Sequence, residues 1–158
     1  MAVALDDLDV RILDELVRDG RSPVSQLAEA VGLSRPAVAE RIDKLERLGV
    51  IRGTTAVVDP LALGPSVTAF IAARGSSQLN AKAKKAFDQL LRSDEVLEAH
   101  TVAGDDCFLL KVRTGSIATL NALVGKLTAS PLSLSTKTTI VMRTHCEKVG
   151  GITLGEDV

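Results

Sequence analysis

Arg35, Glu40, Arg41, Lys44 and Arg47 lie within one short stretch, SRPAVAERIDKLER, that begins at Ser34. At helical spacing Pro36, Ala37, Glu40, Lys44 and Arg47 share a face, with Arg35 and Arg41 at its margins. Long cations on one helix face suit phosphates and the acceptor edges of guanine, and a carboxylate such as Glu40 can accept from the cytosine amine. That is the chemistry of reading duplex DNA. A solvated charged face is the plainer alternative, because Glu40 and Lys44 are also spaced as an i,i+4 ion pair. No second constellation competes. Cys107 and Cys146 lack C-x-x-C spacing, and lone cysteines of this kind are inert more often than redox-active. His145 and Cys146 are adjacent and diverge on a strand, His100 has no evident partner, and no nucleophile stands beside a base. No metal, cofactor or catalytic group is expected.

The charged face needs a scaffold, and the flanking residues supply one. Ser34 caps the helix, with Pro36 in its first turn, and Val38, Ile42 and Leu45 form its buried stripe. Ahead of it, Gly32 marks a sharp turn of positive φ with Leu33 at the corner. Before that turn, Ser22 caps a helix with Pro23 at its first position and Leu27, Ala28 and Val31 on one side. A further helix over Leu5–Gly20 begins at Asp6 or Asp7, buries Leu8, Ile12, Leu13 and Leu16, and ends at Gly20. Three helices in this order make a helix-turn-helix. GVIRGTTAVVD, from Gly49 to Asp59, is rich in β-branched residues and predicts a two-stranded wing turning near Gly53, with Arg52 placed to reach a phosphate.

Asp59-Pro60-Leu61-Ala62-Leu63-Gly64-Pro65 interrupts both helix and strand and divides the chain. The reading is a DNA-binding domain over 1–59, a linker over 60–66 and a second domain over 67–158. The second half predicts strand (67–73), helix (81–91), strand (96–102), a turn at 103–106, strand (107–113), helix (117–127, capped by Ser116) and strand (136–142). That order is βαββαβ, a ferredoxin-like plan, so the fold class is α+β. The chain of 158 residues is 46% hydrophobic, enough for two small cores. No apolar run approaches the length of a membrane span and no signal peptide opens the chain, so a cytoplasmic protein without membrane contact is expected. Charge runs against the DNA reading. Residues 1–60 hold 8 Lys+Arg against 11 Asp+Glu, a net of −3. A net acidic module binds DNA weakly alone, which favours several copies acting together. The competing reading is a ferredoxin-like regulatory or catalytic subunit whose N-terminal helices dock protein.

LDDLDVRIL at Leu5–Leu13, GLSRPAVAERIDKLERLGVI at Gly32–Ile51 and VAGDDCFLLKV at Val102–Val112 together resemble the leucine-responsive regulatory protein/AsnC family of transcription regulators. The resemblance covers about residues 5–143. It implies a winged helix-turn-helix followed by a domain that senses small molecules, usually amino acids. It also implies homodimers formed through the C-terminal sheets that assemble to tetramers, octamers or higher rings. Ser34, Arg35, Pro36, Ala37, Glu40, Arg41, Lys44, Arg47 and Arg52 become the candidate contacts to double-stranded DNA. The family's effector turn resembles G-x-x-D and here reads Gly104-Asp105-Asp106-Cys107, with a cysteine where an aspartate is common. The candidate effector residues are Thr101, Val102, Ala103, Gly104, Asp105, Asp106 and Cys107. Backbone N–H groups near Gly104 suit a carboxylate, and Asp105 or Asp106 an ammonium group. A hairpin turn would select the same Gly and Asp for their dihedrals.

Overall fold

A computed structural model describes residues 3–64, 66–75 and 79–147. The chain divides into two compact units, with the division between Val57 and Val58. In the first unit, α1 (Asp7–Arg18) starts at Asp6, whose carboxylate accepts from the Asp9 N–H at 2.8 Å. Helix α2 runs Val24–Val31 and α3 runs Arg35–Arg47. Ile12, Leu13, Leu27, Ala28, Val31, Val38 and Leu45 form the buried core, with Leu33 and Ile42 packed at its edge. Gly32 turns the chain between α2 and α3 at φ +73°, a region that penalises any residue with a Cβ. Ser34 caps α3 by accepting from the Ala37 N–H.

Three local expectations need correcting. The cap position of α2 is Pro23, one residue after Ser22, and it makes no side-chain cap bond. Asp19 organises that corner: its backbone carbonyl accepts from Ser22 and its carboxylate from the Arg21 N–H. Gly20 does not take a left-handed φ either; a Cβ there would lie 3.0 Å from Thr54 Cγ2, so close approach is what favours glycine. Lastly, the wing does not form. Val50 and Ile51 donate to the Leu45 carbonyl and pack on the core, but residues 52–58 adopt no strand. Val57 and Val58 are exposed. A two-stranded hairpin needs a surface to pack on, and only Val50 and Ile51 find one.

The second unit opens with a short 3-10 turn, Pro60–Leu63, capped by Asp59. There follow β1 (Val67–Arg74), α4 (Ala81–Leu90), β2 (Val96–Thr101), β3 (Phe108–Thr114), α5 (Ile117–Thr128) and β4 (Ser135–Ile140). The βαββαβ order holds, and the strands form one antiparallel sheet in the order β2-β3-β1-β4. Alternation along the strands decides the faces. Ala69, Ile71 and Ala73 of β1 with Phe108, Leu110 and Val112 of β3 pack against Ala83, Phe87 and Leu90 of α4 and Leu120, Leu123 and Leu127 of α5. The opposite face presents Phe70, Ala72, Leu109 and Lys111. In register, Phe70 lies across from Lys111 and Ala72 across from Leu109. Strand β4 ends at Ile140, so His145 and Cys146 lie on no strand. The last part of the second domain as expected from sequence, residues 148–158, lies outside the described residues.

Candidate nucleic-acid interface and effector turn

Helix α3 carries the candidate DNA contacts, and its sequence sorts them. Val38 and Leu45 are buried, which turns Glu40, Lys44 and Arg47 outward. Asp6, Ala37, Glu40, Arg41, Lys44 and Arg47 line a shallow groove of about 410 Å³. Five of these six are expected from the sequence; Asp6 is not. Ser34, Arg35 and Pro36 are exposed at the helix start, and Arg52 is exposed beyond its end. Arg35, Glu40, Arg47 and Arg52 make no ion pair among the described residues, and the Glu40–Lys44 pair permitted by spacing is not made.

Lys44 and Arg41 are held instead by α1. Lys44 Nζ donates to Asp9 Oδ2 at 2.9 Å. Arg41 Nη1 donates to Asp9 Oδ1 at 2.6 Å and to Asp6 Oδ2 at 2.7 Å. Asp9 is fully buried, so its charge is neutralised by these two cations rather than by water. The Arg41 bond, with help from the Asp9 N–H, holds the Asp6 carboxyl below its usual value. Burial pushes Asp9 up, but the Lys44 and Arg41 bonds outweigh it and its net shift is also downward. Arg41 is raised in return, chiefly by Asp6. The sequence signal for Asp9 is an acid at position i of the apolar series Ile12, Leu13 and Leu16, where only a paired charge can be buried.

The candidate effector turn joins β2 to β3. Val102 N–H donates to the Cys107 carbonyl at 3.1 Å, closing a loop in which Gly104 takes φ +131°. The loop is fastened to the end of β1: Cys107 N–H donates to the Ala73 carbonyl, and Cys107 Sγ donates to the Gly75 carbonyl at 2.9 Å. Arg74, which no sequence signal marks, stands 3.8 Å from both Asp105 and Asp106. Thr101, Ala103, Gly104 and Asp105 are exposed, while Val102, Asp106 and Cys107 are half-buried. Cysteine at this position serves the loop as a donor, a role an ionised aspartate cannot fill. Among the described residues no group of three or more His, Cys, Asp or Glu is arranged to hold a metal ion, and no helix is long and apolar enough to cross a membrane.

Residues 5–46 match the AsnC-type helix-turn-helix domain, and residues 68–150 match the Lrp/AsnC ligand binding domain. The chain belongs to the Lrp/AsnC family. It is a DNA-binding transcriptional regulator of the Lrp/AsnC type, with an effector-binding domain after its helix-turn-helix. It is 35% identical to the HTH-type transcriptional regulator FL11 of Pyrococcus abyssi over 93% of this chain and 95% of that one. It is 36% identical to the leucine-responsive regulatory protein of Escherichia coli, over 87% of this chain and 85% of that one. Among solved structures it resembles the leucine response regulatory protein of Mycobacterium tuberculosis, with a TM-score of 0.79 and 32% identity, covering 94% of this chain and all of that one. Both Lrp/AsnC parts therefore stand in the order that the α1–α3 unit and the four-stranded sheet present.

Proposed function

We propose that this Lrp/AsnC regulator binds specific duplex DNA as a homodimer or larger assembly, places α3 in the major groove, and is controlled by a small amino-acid-like effector seated at the 101–107 turn. The observation that carries the DNA reading is the groove of α3, where Arg41, Lys44 and Arg47 converge beside Glu40. Ser34, Arg35, Pro36 and Ala37 at the helix start then meet the DNA first, and Arg52 meets phosphate from beyond the helix. The net −3 of residues 1–60 makes a single copy a weak binder and calls for two half-sites about one helical turn apart. The open sheet face, with Phe70 40% exposed between Lys111 and Thr139, supplies a surface for the second copy and for assembly to tetramers, octamers or higher. On this reading residues 1–59 bind DNA, 60–66 link and 67–158 sense and assemble, in a cytoplasmic protein without catalytic activity.

At the effector turn, Thr101 to Cys107 offer backbone donors near Gly104 for a carboxylate, Arg74 offers a cation, and Asp105 and Asp106 offer charge for an ammonium group. That one relative is named a leucine-responsive regulatory protein supports the amino-acid class. Two measurements test the reading. Selection from a randomised duplex library should enrich a two-half-site sequence bound in a salt-sensitive way; no enrichment rejects DNA recognition. A thermal-shift screen of the twenty amino acids should yield a ligand that raises Tm, since a ligand of the folded state must do so. The hit should be lost in Gly104→Val, because φ +131° strains any L side chain and reshapes the loop. No hit at millimolar concentration, or a hit indifferent to the substitution, removes the effector site.

A further inference from the structure

We propose that Asp6 and Asp9 are positioning residues for DNA recognition: they clamp Arg41 and Lys44 in one orientation, so that α3 reads base edges with these cations instead of gathering phosphates. The inference rests on α3 being the DNA-facing helix. Its ground is the difference between two kinds of cation on that helix. Arg35 and Arg47 are exposed, without an ion pair among the described residues. Arg41 and Lys44 are tied to α1 across 32 and 35 residues of sequence. The tie is strong because Asp9 is fully buried, where no water competes for its oxygens. It is also one-sided. All three Arg41 bonds to the carboxylates are made by Nη1, which leaves Nε and Nη2 without a partner among the described residues. A guanidinium held by one nitrogen keeps Nε and Nη2, the fork that matches guanine O6 and N7, out of the carboxylate bonds. Lys44 keeps two of its three donors beyond the bond to Asp9.

The clamp also accounts for part of the acidic balance of residues 1–60. Asp6 and Asp9 reduce the attraction to any phosphate backbone, and what they return is discrimination between sequences. Removing a clamp carboxylate should therefore let the cations swing to phosphates. Asp6→Asn is the informative variant, because asparagine still caps α1 by accepting from the Asp9 N–H. Asp9→Asn tests the buried anchor and is paired with a melting curve. Asp43→Asn is the charge control: Asp43 is exposed on α3 and makes no ion pair among the described residues.

Affinities of the full-length proteins are measured by fluorescence anisotropy across a salt series, on the duplex enriched by the wild type and on a scrambled duplex of equal length. Asp6→Asn should bind the scrambled duplex several-fold more tightly, lower the enriched-to-scrambled ratio about tenfold, and steepen the salt slope on the scrambled duplex by about one. Asp9→Asn should lower the ratio at least as far. Asp43→Asn should raise both affinities together and leave the ratio unchanged. A ratio in Asp6→Asn equal to that of Asp43→Asn and the wild type overturns the clamp while leaving DNA recognition intact. So does a fall of both affinities in parallel with Tm in Asp9→Asn, the mark of a merely structural acid. Failure of the wild type to enrich any sequence overturns the DNA reading and this inference with it.

Discussion

Asp9 sits at a buried position of α1 and keeps its charge there because Arg41 and Lys44 reach it from α3. This gives the first unit a specific response to acid. Both clamp carboxyls are depressed in the folded chain, Asp6 chiefly by the Arg41 bond and Asp9 by the Lys44 and Arg41 bonds against an opposing burial effect. A carboxyl with a lowered folded value contributes stability that is fully present above its unfolded value, about 3.9, and is lost as the pH falls through the folded value. The expected result is a Tm that holds steady down to about pH 4 and then falls as the acids protonate. In Asp9→Asn the acid-dependent part of the loss should shrink, and stability above about pH 4 should drop by about 1–3 kcal/mol because the buried hydrogen bonds to Arg41 and Lys44 lose their charged acceptor. Melting curves of both proteins from pH 3 to 7 measure the two effects. A variant with the wild-type pH profile would remove Asp9 from the account.

Elements that define themselves locally are legible in the sequence. Ser34, Asp6 and Ser116 announce helix starts, because a cap is a bond between neighbours in sequence. Gly32 announces the turn for the same reason. The βαββαβ order follows from the change between two-residue and 3.6-residue periodicity. The features that escape a sequence reading have one physical character: they depend on partners distant in sequence. The β-branched run after Gly49 has the composition of a wing but lacks a packing surface, and Gly20 is set by Thr54 rather than by its own dihedral. Five of the six groove residues are visible in the recognition stretch, whereas their counter-ions on α1 and the placement of Arg74 beside the candidate effector turn are not. A prediction follows at this scale. Ser34→Ala removes the α3 cap and should cost about 1 kcal/mol of stability. DNA affinity should fall by more than that stability loss implies if, as proposed, the Ser34 end of α3 enters the groove. Chemical denaturation and anisotropy on the same preparation separate the two.

For the whole molecule, the proposed assembly surface is the open sheet face. Phe70 lies at its centre, half exposed, with Ala72 and Leu109 beside it and Glu98 bonded to Lys111 at the rim. Phe70→Asp places a charge where a second copy would pack. Sedimentation at micromolar concentration should show a smaller species than the wild type, and affinity for a two-half-site duplex should fall while that for a single half-site is unchanged. An unaltered sedimentation profile would move the assembly surface elsewhere. The Cys107–Gly75 bond, which fastens the candidate effector loop, has another use. The S–H proton that Cys107 gives to the Gly75 carbonyl is the one lost on alkylation, so modifying this thiol must break the bond. Cys146 is exposed and is the only other thiol in the chain. The molecule thus carries a paired chemical clock: maleimide should modify exposed Cys146 faster than half-buried, hydrogen-bonded Cys107. The ratio of the two rates, read by mass spectrometry, would time loop opening and register any molecule that holds it shut.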